Sequence, residues 1–218
     1  MRKSTPLQLV ARVGIYCLGL LALAFAITIA ANSSLGISPV SSLPYALSQI
    51  LNISLGTSST GVYTVYILAQ MALNKKFQPL LLLQLVFATI FGYFLDAAKW
   101  IIGDFMLPTY FGQLAMLAVS IVLLSASLVL YIDVELTPMP AEGLIACIAG
   151  KLGKPFSKIK TPFDCISVLT ASLLCLVFLG KITGIREGTV LIALLTGKLM
   201  GTIRKYLSPL IRKVCFGE

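Results

Sequence analysis

The residues in this sequence that could do chemistry in an apolar environment are its acids. The chain has 218 residues but only eight Asp and Glu. Asp164 falls within an apolar stretch, Glu187 opens the next one, and Glu142 lies in a broken segment between two such stretches. A carboxylate at membrane depth costs roughly 2.5 kcal/mol or more, so it usually faces the interior and marks a solute or proton path. Asp164 is the strongest candidate, and the alternative is a headgroup-level residue that pairs with Lys158 or Lys160.

A second set of polar groups lies in two segments, residues 33–52 and 134–153, which we call the broken segments. Each contains prolines, glycines or hydroxyls, followed by a mostly apolar helix that is too short to cross a bilayer. Pro39 and Pro140 are predicted to begin these helices, whose first amides are free to bind a ligand. Paired, interrupted elements of this kind are the best sequence indication of a binding site near the membrane midplane.

The predicted substrate-binding residues are the hydroxyls, prolines and acids of these segments, with a tyrosine and two acids of the neighbouring spans. They are Ser38, Pro39, Ser41, Ser42, Tyr63, Thr137, Pro140, Glu142, Asp164 and Glu187. The alternative is that both broken segments are surface loops whose amphipathic helices lie on opposite faces of the membrane. Four further acids are expected to be solvated or at headgroup level: Asp104, Asp133, Glu135 and Glu218.

The sequence lacks the parts of an enzyme or metal site. It has no histidine, and its five cysteines show no spacing typical of metal ligands. It also has no phosphate loop and no HExxH or GxSxG motif. We therefore expect no catalytic residue, no metal site and no cofactor, and the chain is not expected to be an enzyme.

The composition excludes an ordinary soluble domain. Hydrophobic residues make up 58% of the chain and charged residues 11%, and the mean hydropathy is +0.96. Soluble domains carry about 25% charged residues. Six apolar segments are long enough, or nearly so, to span a bilayer, at about 12–32, 58–74, 79–98, 113–132, 162–180 and 186–203. The predicted fold is an all-α polytopic membrane protein, with residues 1–218 as a single membrane domain.

The basic residues predict the topology of these spans. The formal charge is +9, and with the N-terminus inside, the outer segments hold only Lys99, Lys181 and Arg186, whereas most other Lys and Arg fall on the cytoplasmic side. Cytoplasmic loops are enriched in Lys and Arg. This distribution predicts that both termini are cytoplasmic. It also explains the basic charge without a nucleic-acid partner.

An internal repeat relates the two halves of the sequence. Shifting the chain by 101 positions aligns Pro39 with Pro140 and Thr60 with Thr161, and a shift of 105 aligns Gly92 with Gly197. Repeat 1 covers about 12–98 and repeat 2 about 113–203. Each repeat has three spans and a Pro-interrupted short helix after its first span. Since three is odd, the second repeat enters the membrane from the opposite side, which is the inverted architecture of many secondary transporters.

Three motifs resemble those of a known family. They are SLGISPVSSLPYALS after the first span, LGTSSTGVYTVY in the second, and the late segment IREGTVLIALLTGKLMG. Together they resemble the YczE/YyaS/YitT group of bacterial integral membrane proteins. The resemblance implies a small multi-pass protein of the bacterial cytoplasmic membrane and assigns no substrate.

These observations predict a secondary membrane transporter, with ion coupling an open question, for a small polar, zwitterionic or organic-ion solute. The site is expected near the midplane between the broken segments, where helix N-termini favour an anionic group and the acids a cationic one. The alternatives are a passive channel and a non-transporting substrate-binding or regulatory membrane subunit. The expected partners are the solute and the lipid bilayer, and a homodimer is left open.

Overall fold

The structure, a computed structural model, describes residues 6–75 and 79–217 of the chain. Over these residues it consists of eight α-helices and contains no strand. In chain order the helices are α1 (Pro6–Asn32), α2 (Pro39–Leu51), α3 (Leu55–Asn74), α4 (Pro79–Ile102), α5 (Tyr110–Asp133), α6 (Pro140–Leu152), α7 (Phe156–Leu179) and α8 (Glu187–Phe216). We refer to α1–α4 as the N-terminal half and to α5–α8 as the C-terminal half.

Four of the helices are long and apolar enough to cross a membrane. They are α1, α4 from Leu80 onward, α5 and α7. Each has at least the roughly 20 residues that a spanning helix requires. Large apolar side chains cover their outer faces, with Trp100 85% exposed on α4 and Phe111 84% exposed on α5. Such an apolar exterior is typical of a helical membrane protein.

The remaining two predicted spans, 58–74 and 186–203, fall within α3 and α8. Neither helix is among the four with the length and hydropathy of a span, so spanning by these two helices stays a prediction. The C-terminal helix also continues to Phe216, well beyond its predicted end at residue 203. Pro209 lies inside this extension without ending the helix.

The two halves have the same succession of long and short helices. In each half a long helix is followed by a 13-residue helix and then by two long ones. Three pairs of residues with left-handed backbone conformation also lie at the offsets of the predicted repeat. The paired positions, each with a positive φ, are Ser34 and Glu135, Asn52 and Gly153, and Lys75 and Gly180.

The core forms where α1 and α5 cross at the centre. Gly19 of α1 lies against the backbone of Tyr131 on α5, and the ring of Tyr16 contacts Phe87 and Tyr131 at centroid distances of 4.4 and 5.9 Å. Around this crossing, α1 packs on α4, and α5 packs on α8. Each short helix packs on a long helix of the opposite half, α2 on α7 and α6 on α3, and also on a long helix of its own half.

An ion pair between a buried carboxylate and a half-exposed guanidinium joins α5 to α8. The carboxylate of Asp133 has a side-chain exposure of 3% and lies 2.6 Å from the guanidinium of Arg204. The expectation that Asp133 is solvated was therefore wrong, whereas a position at headgroup level stays a prediction. Removing Arg204 would leave the buried carboxylate without compensation, so this contact fixes the end of α5 next to the second broken segment.

Two glycines allow α3 and α4 to cross closely. A Cβ atom on Gly56 would overlap with the carbonyl oxygen of Gly92, and one on Gly92 would overlap with the hydroxyl of Thr60. The same crossing is held by Asp96 of α4, whose two carboxylate oxygens each accept a 2.8 Å hydrogen bond, from the Gly56 amide and the Ser54 hydroxyl. By contrast, α7 and α8 do not pack along their length.

We predict that Gly56→Ala and Gly92→Ala each destabilise the protein, because the added methyl group meets backbone or a hydroxyl that cannot move without separating the helices. Overpacking of this kind typically costs about 1–3 kcal/mol. The matched control is Gly61→Ala on the same helix, where a Cβ meets no atom within 4 Å. Thermal unfolding in detergent should show a lower Tm for the first two variants only. Equal Tm values for all three would contradict the tight crossing.

Candidate functional site

A cavity of about 320 Å³ lies at the centre of the helices, and we call it the central cavity. The N-terminal ends of both short helices, α2 and α6, reach it, together with side chains from α1, α3, α5, α7 and α8. Its polar lining consists of Ser38, Ser41, Tyr63, Tyr131, Glu142, Lys160, Asp164 and Thr196, and the rest is largely aliphatic. A mostly apolar cavity with a few polar groups is typical of a small-molecule site.

At the α2 side of the cavity, the helix begins with its own hydroxyl cap. Ser38 occupies the N-cap, where its hydroxyl oxygen accepts a hydrogen bond from the Ser41 amide at 3.4 Å and donates to the Ser41 hydroxyl at 2.9 Å. Pro39 follows at the first helical position, where a missing amide proton costs nothing. The Ser42 hydroxyl instead donates to the Pro39 carbonyl at 2.7 Å.

The chain leading into α2 is held by the other half of the protein. The Ile37 amide donates to the Gly184 carbonyl at 3.0 Å, and the Gly188 amide donates to the Leu35 carbonyl at 2.8 Å. Gly36 between them has a φ of +123°, and a Cβ there would lie 2.5 Å from the Thr189 hydroxyl. Only glycine fits this position, because the backbone conformation and the close approach both exclude a side chain.

At the α6 side, Glu142 is the residue that faces the cavity with a free acceptor. One carboxylate oxygen, Oε1, accepts a 3.1 Å hydrogen bond from the Tyr131 hydroxyl. The other, Oε2, is buried and has no hydrogen-bond partner among the residues that the structure describes. Buried carboxylate oxygens are normally satisfied, so this atom is available to accept a hydrogen bond from a ligand in the cavity.

Two glutamines, Gln70 and Gln84, position the start of α6. The Gln70 amide nitrogen donates to the Pro140 carbonyl at 3.1 Å and to Gln84 Oε1 at the same distance. Gly143 lies directly over this pair, where a Cβ would come within 2.7 Å of either amide group. The N-terminal half thus positions the helix that carries Glu142.

The turn before α6 is held by α1. Buried Arg12 donates from Nε to the Val134 carbonyl at 3.0 Å and from Nη2 to the Glu135 carbonyl at 2.7 Å. Its guanidinium lies 5.1 Å from the centroid of the Phe216 ring at the end of α8. The Tyr16 hydroxyl donates to the backbone carbonyl of Thr137, which lies between this turn and α6, at 3.1 Å.

On α7, the second carboxylate of the cavity is paired. The Lys160 ammonium lies 2.9 Å from Asp164 Oδ2, and the two residues are one helical turn apart. Both line the central cavity, and the Asp164 side chain is 19% exposed. Asp164 thus has one of its two predicted lysine partners and also faces the cavity, while its position relative to the lipid headgroups stays a prediction.

The structure brings six of the ten predicted binding residues to the central cavity. They are Ser38, Pro39, Ser41, Tyr63, Glu142 and Asp164. The other four lie elsewhere. Ser42 bonds within its own helix, Pro140 contacts Gln70, Thr137 lines a second cavity that shares Glu142, and Glu187 forms an exposed ion pair with Arg186.

Three further polar residues of the cavity were missed from the sequence, namely Tyr131, Lys160 and Thr196. Thr196 also has a buried hydroxyl without a partner among the described residues. A polar residue within a span is a weak signal, because its direction depends on the rotation of the helix. Over the same residues, no group of three or more His, Cys, Asp or Glu is placed to hold a metal ion.

The apolar exterior, the helical architecture and the internal cavity together define a helical membrane protein. The chain belongs to a family of unknown function, DUF6198, whose sequence profile matches residues 10–205. That match includes every residue that lines the central cavity. No curated protein and no solved structure matches the chain.

We predict that Arg12→Met lowers the free energy of unfolding, because it leaves the buried Val134 and Glu135 carbonyls without their donor. An unsatisfied buried group costs about 1–3 kcal/mol. Arg212→Met is the matched control, since Arg212 is exposed on α8. Circular dichroism melts in detergent should show a drop in Tm for Arg12→Met and little change for Arg212→Met. A drop of the same size in both variants would mean that the loss of a positive charge, rather than of the two hydrogen bonds, lowers the stability.

Proposed function

We propose that this protein is a secondary transporter that moves a small polar, zwitterionic or organic-ion solute through the central cavity. In this proposal the chain forms six spans arranged as two inverted repeats, with α2 and α6 as re-entrant helices. The observation that carries it is that the N-terminal ends of α2 and α6, one from each half, lie at a single cavity together with a carboxylate, that of Glu142, one of whose oxygens has no partner among the described residues.

The chemistry of the cavity fits a solute with both polar and apolar parts. Non-helical backbone at membrane depth is tolerated where it lines a cavity or is buried in protein, and both broken segments meet that condition. Helix N-termini attract negative charge, whereas Glu142 and Asp164 attract positive charge. Inverted-repeat transporters place their substrate and coupling-ion sites between such interrupted helices.

The packing difference between the halves supports alternating access. In the N-terminal half α3 and α4 are closed on each other through Gly56 and Gly92. The equivalent pair in the C-terminal half, α7 and α8, is separated, and the cavity lies between them. If each half adopted the packing of the other, α7 and α8 would close and α3 and α4 would separate. This change would move the opening of the cavity from one side of the membrane to the other.

The proposed setting is the bacterial cytoplasmic membrane, which follows from the resemblance to the YczE/YyaS/YitT group. The distribution of Lys and Arg supports cytoplasmic termini. In this orientation Lys160 and Asp164, near the start of α7, lie toward the cytoplasmic end of the cavity. The proposal needs no cofactor, no catalytic residue and no partner beyond the solute and the bilayer, and it is compatible with a homodimer.

Reconstitution of the purified chain in liposomes tests this function. We expect uptake of members of a panel of labelled small amines, amino acids and carboxylates to saturate with concentration and to respond to an imposed ion gradient. Protein-free liposomes are the control. Uptake that neither saturates nor responds to a gradient would identify a passive channel. Binding without uptake would identify a substrate-binding or regulatory subunit.

We also predict that Gly197→Val stops transport without destabilising the protein. Gly197 aligns with Gly92 in the repeat, and it lies on α8 at the cavity with no atom within 4 Å of its Cβ position. A valine therefore fits the structure described here but would block closure of α8 onto α7. The matched control is Gly61→Val, at another open position. Normal uptake by Gly197→Val would argue against closure of these helices.

A further inference from the structure

We infer that the central cavity takes a small organic cation with an apolar body, such as a primary ammonium, and that this cation and a proton compete for the carboxylate of Glu142. The inference rests on the transport function proposed above and specifies its substrate class and its coupling. It follows from the charges of the cavity wall, from the partners of each charge and from the aliphatic lining.

The charged side chains that line the cavity do not balance. They are two carboxylates, Glu142 and Asp164, and one ammonium, Lys160, and no arginine is among the lining residues. The ammonium is already committed to Asp164 at 2.9 Å. Glu142 is therefore the group without a counter-ion, and an ionised carboxylate in such surroundings is stable only when a cation approaches it.

The free oxygen of Glu142 is placed to receive that cation. Oε1 is occupied by the Tyr131 hydroxyl at 3.1 Å, whereas Oε2 is buried and lacks a partner among the described residues. An ammonium N–H is a donor that would satisfy Oε2, and a proton bound to Oε2 would remove the charge instead. Both occupy the same atom, so they exclude each other.

Other ionisable groups near Glu142 leave this competition in place. Those that face it are three tyrosines, from α1, α3 and α5, and the ion pair of α7: Tyr16, Tyr63, Tyr131, Lys160 and Asp164. The tyrosines are neutral donors or acceptors, and the ion pair has no net charge. Glu142 is thus the group whose charge changes when the cavity fills.

The exchange balances in atoms and charge. On entry of an alkylammonium, the O–H bond of the protonated Glu142 carboxyl breaks, and the proton leaves to water. The carboxylate formed then accepts a hydrogen bond from the ammonium. One positive charge replaces another, so the cavity keeps the same net charge in both states. A transporter with this site moves the cation and the proton in opposite directions.

The aliphatic part of the wall selects the body of the solute. Leu23, Ile27, Leu124, Leu128 and Ile192 line the cavity from α1, α5 and α8. These side chains offer no hydrogen bonds, so they favour an apolar part of the solute next to its charged end. The substrate class is therefore an amine with an apolar body.

Calorimetry with three molecules of nearly the same shape tests this site in detergent-purified protein. They are benzylammonium, benzyl alcohol and benzoate, which carry charges of plus one, zero and minus one. We expect benzylammonium to bind most tightly to the wild-type protein. Titrations in two buffers of different ionisation enthalpy should show proton release that approaches one proton per bound benzylammonium as the pH is lowered. The affinity for benzylammonium should fall by up to tenfold for each unit by which the pH is lowered.

Glu142→Gln keeps the shape and the Tyr131 contact but removes the charge. We expect it to lose benzylammonium affinity by at least about tenfold, the equivalent of 1.4 kcal/mol, and to lose proton release, with benzyl alcohol binding unchanged. Glu187→Gln, which alters an exposed acid outside the cavity, is the matched control and should bind like wild type.

Four results would overturn the inference: tighter binding of benzoate, unchanged benzylammonium binding by Glu142→Gln, binding without proton release at any pH, and no binding of benzylammonium by the wild type. The ligand series needs no variant, so a folding defect in Glu142→Gln would not block the test. The transport proposal fails separately. Cation binding with proton release but no uptake in liposomes would refute transport alone, and saturable uptake of carboxylates unaffected by Glu142→Gln would refute the cation site alone.

Discussion

Backbone N–H and C=O groups that leave a helix inside an apolar environment must find partners within the protein, and this requirement organises the molecule. In each broken segment, part of the backbone is bonded by the opposite half. Arg12 holds the turn before α6, and residues Gly184, Arg186 and Gly188 hold the turn before α2. The N-terminal ends of both short helices are fixed in this way at the central cavity.

The same constraint explains which parts of the fold were predictable. Pro39 and Pro140 start α2 and α6 as predicted, since proline at the first helical position is a local signal that packing does not alter. The scarcity of acids likewise indicated Glu142 and Asp164 as cavity residues, because charges at depth have few other places to go. The end of α8 was missed, since a basic, less apolar extension continues a helix without continuing an apolar span.

Other features of the site depend on how helices rotate against each other, and no local pattern encodes that rotation. Nothing in the sequence distinguishes Tyr131 from the other aromatic residues, and only the structure shows that its hydroxyl donates a hydrogen bond to Glu142. Arg12 is one of the basic residues on the predicted cytoplasmic side, and its hydrogen bonds to two carbonyls of the turn between α5 and α6 are a tertiary property. Asp133 shows the same limit, because the sequence does not reveal that Arg204 reaches it.

The pattern of partners also bears on the order in which the chain is made. The Arg12 side chain is already present when its partner turn at Val134 and Glu135 is synthesised, so that turn is satisfied as soon as it forms. The turn at Ser34 and Leu35 is synthesised early, but its donors arrive only with Arg186 and Gly188. During biosynthesis the carbonyls of this first turn therefore lack these two donors until the residues that begin α8 have been synthesised.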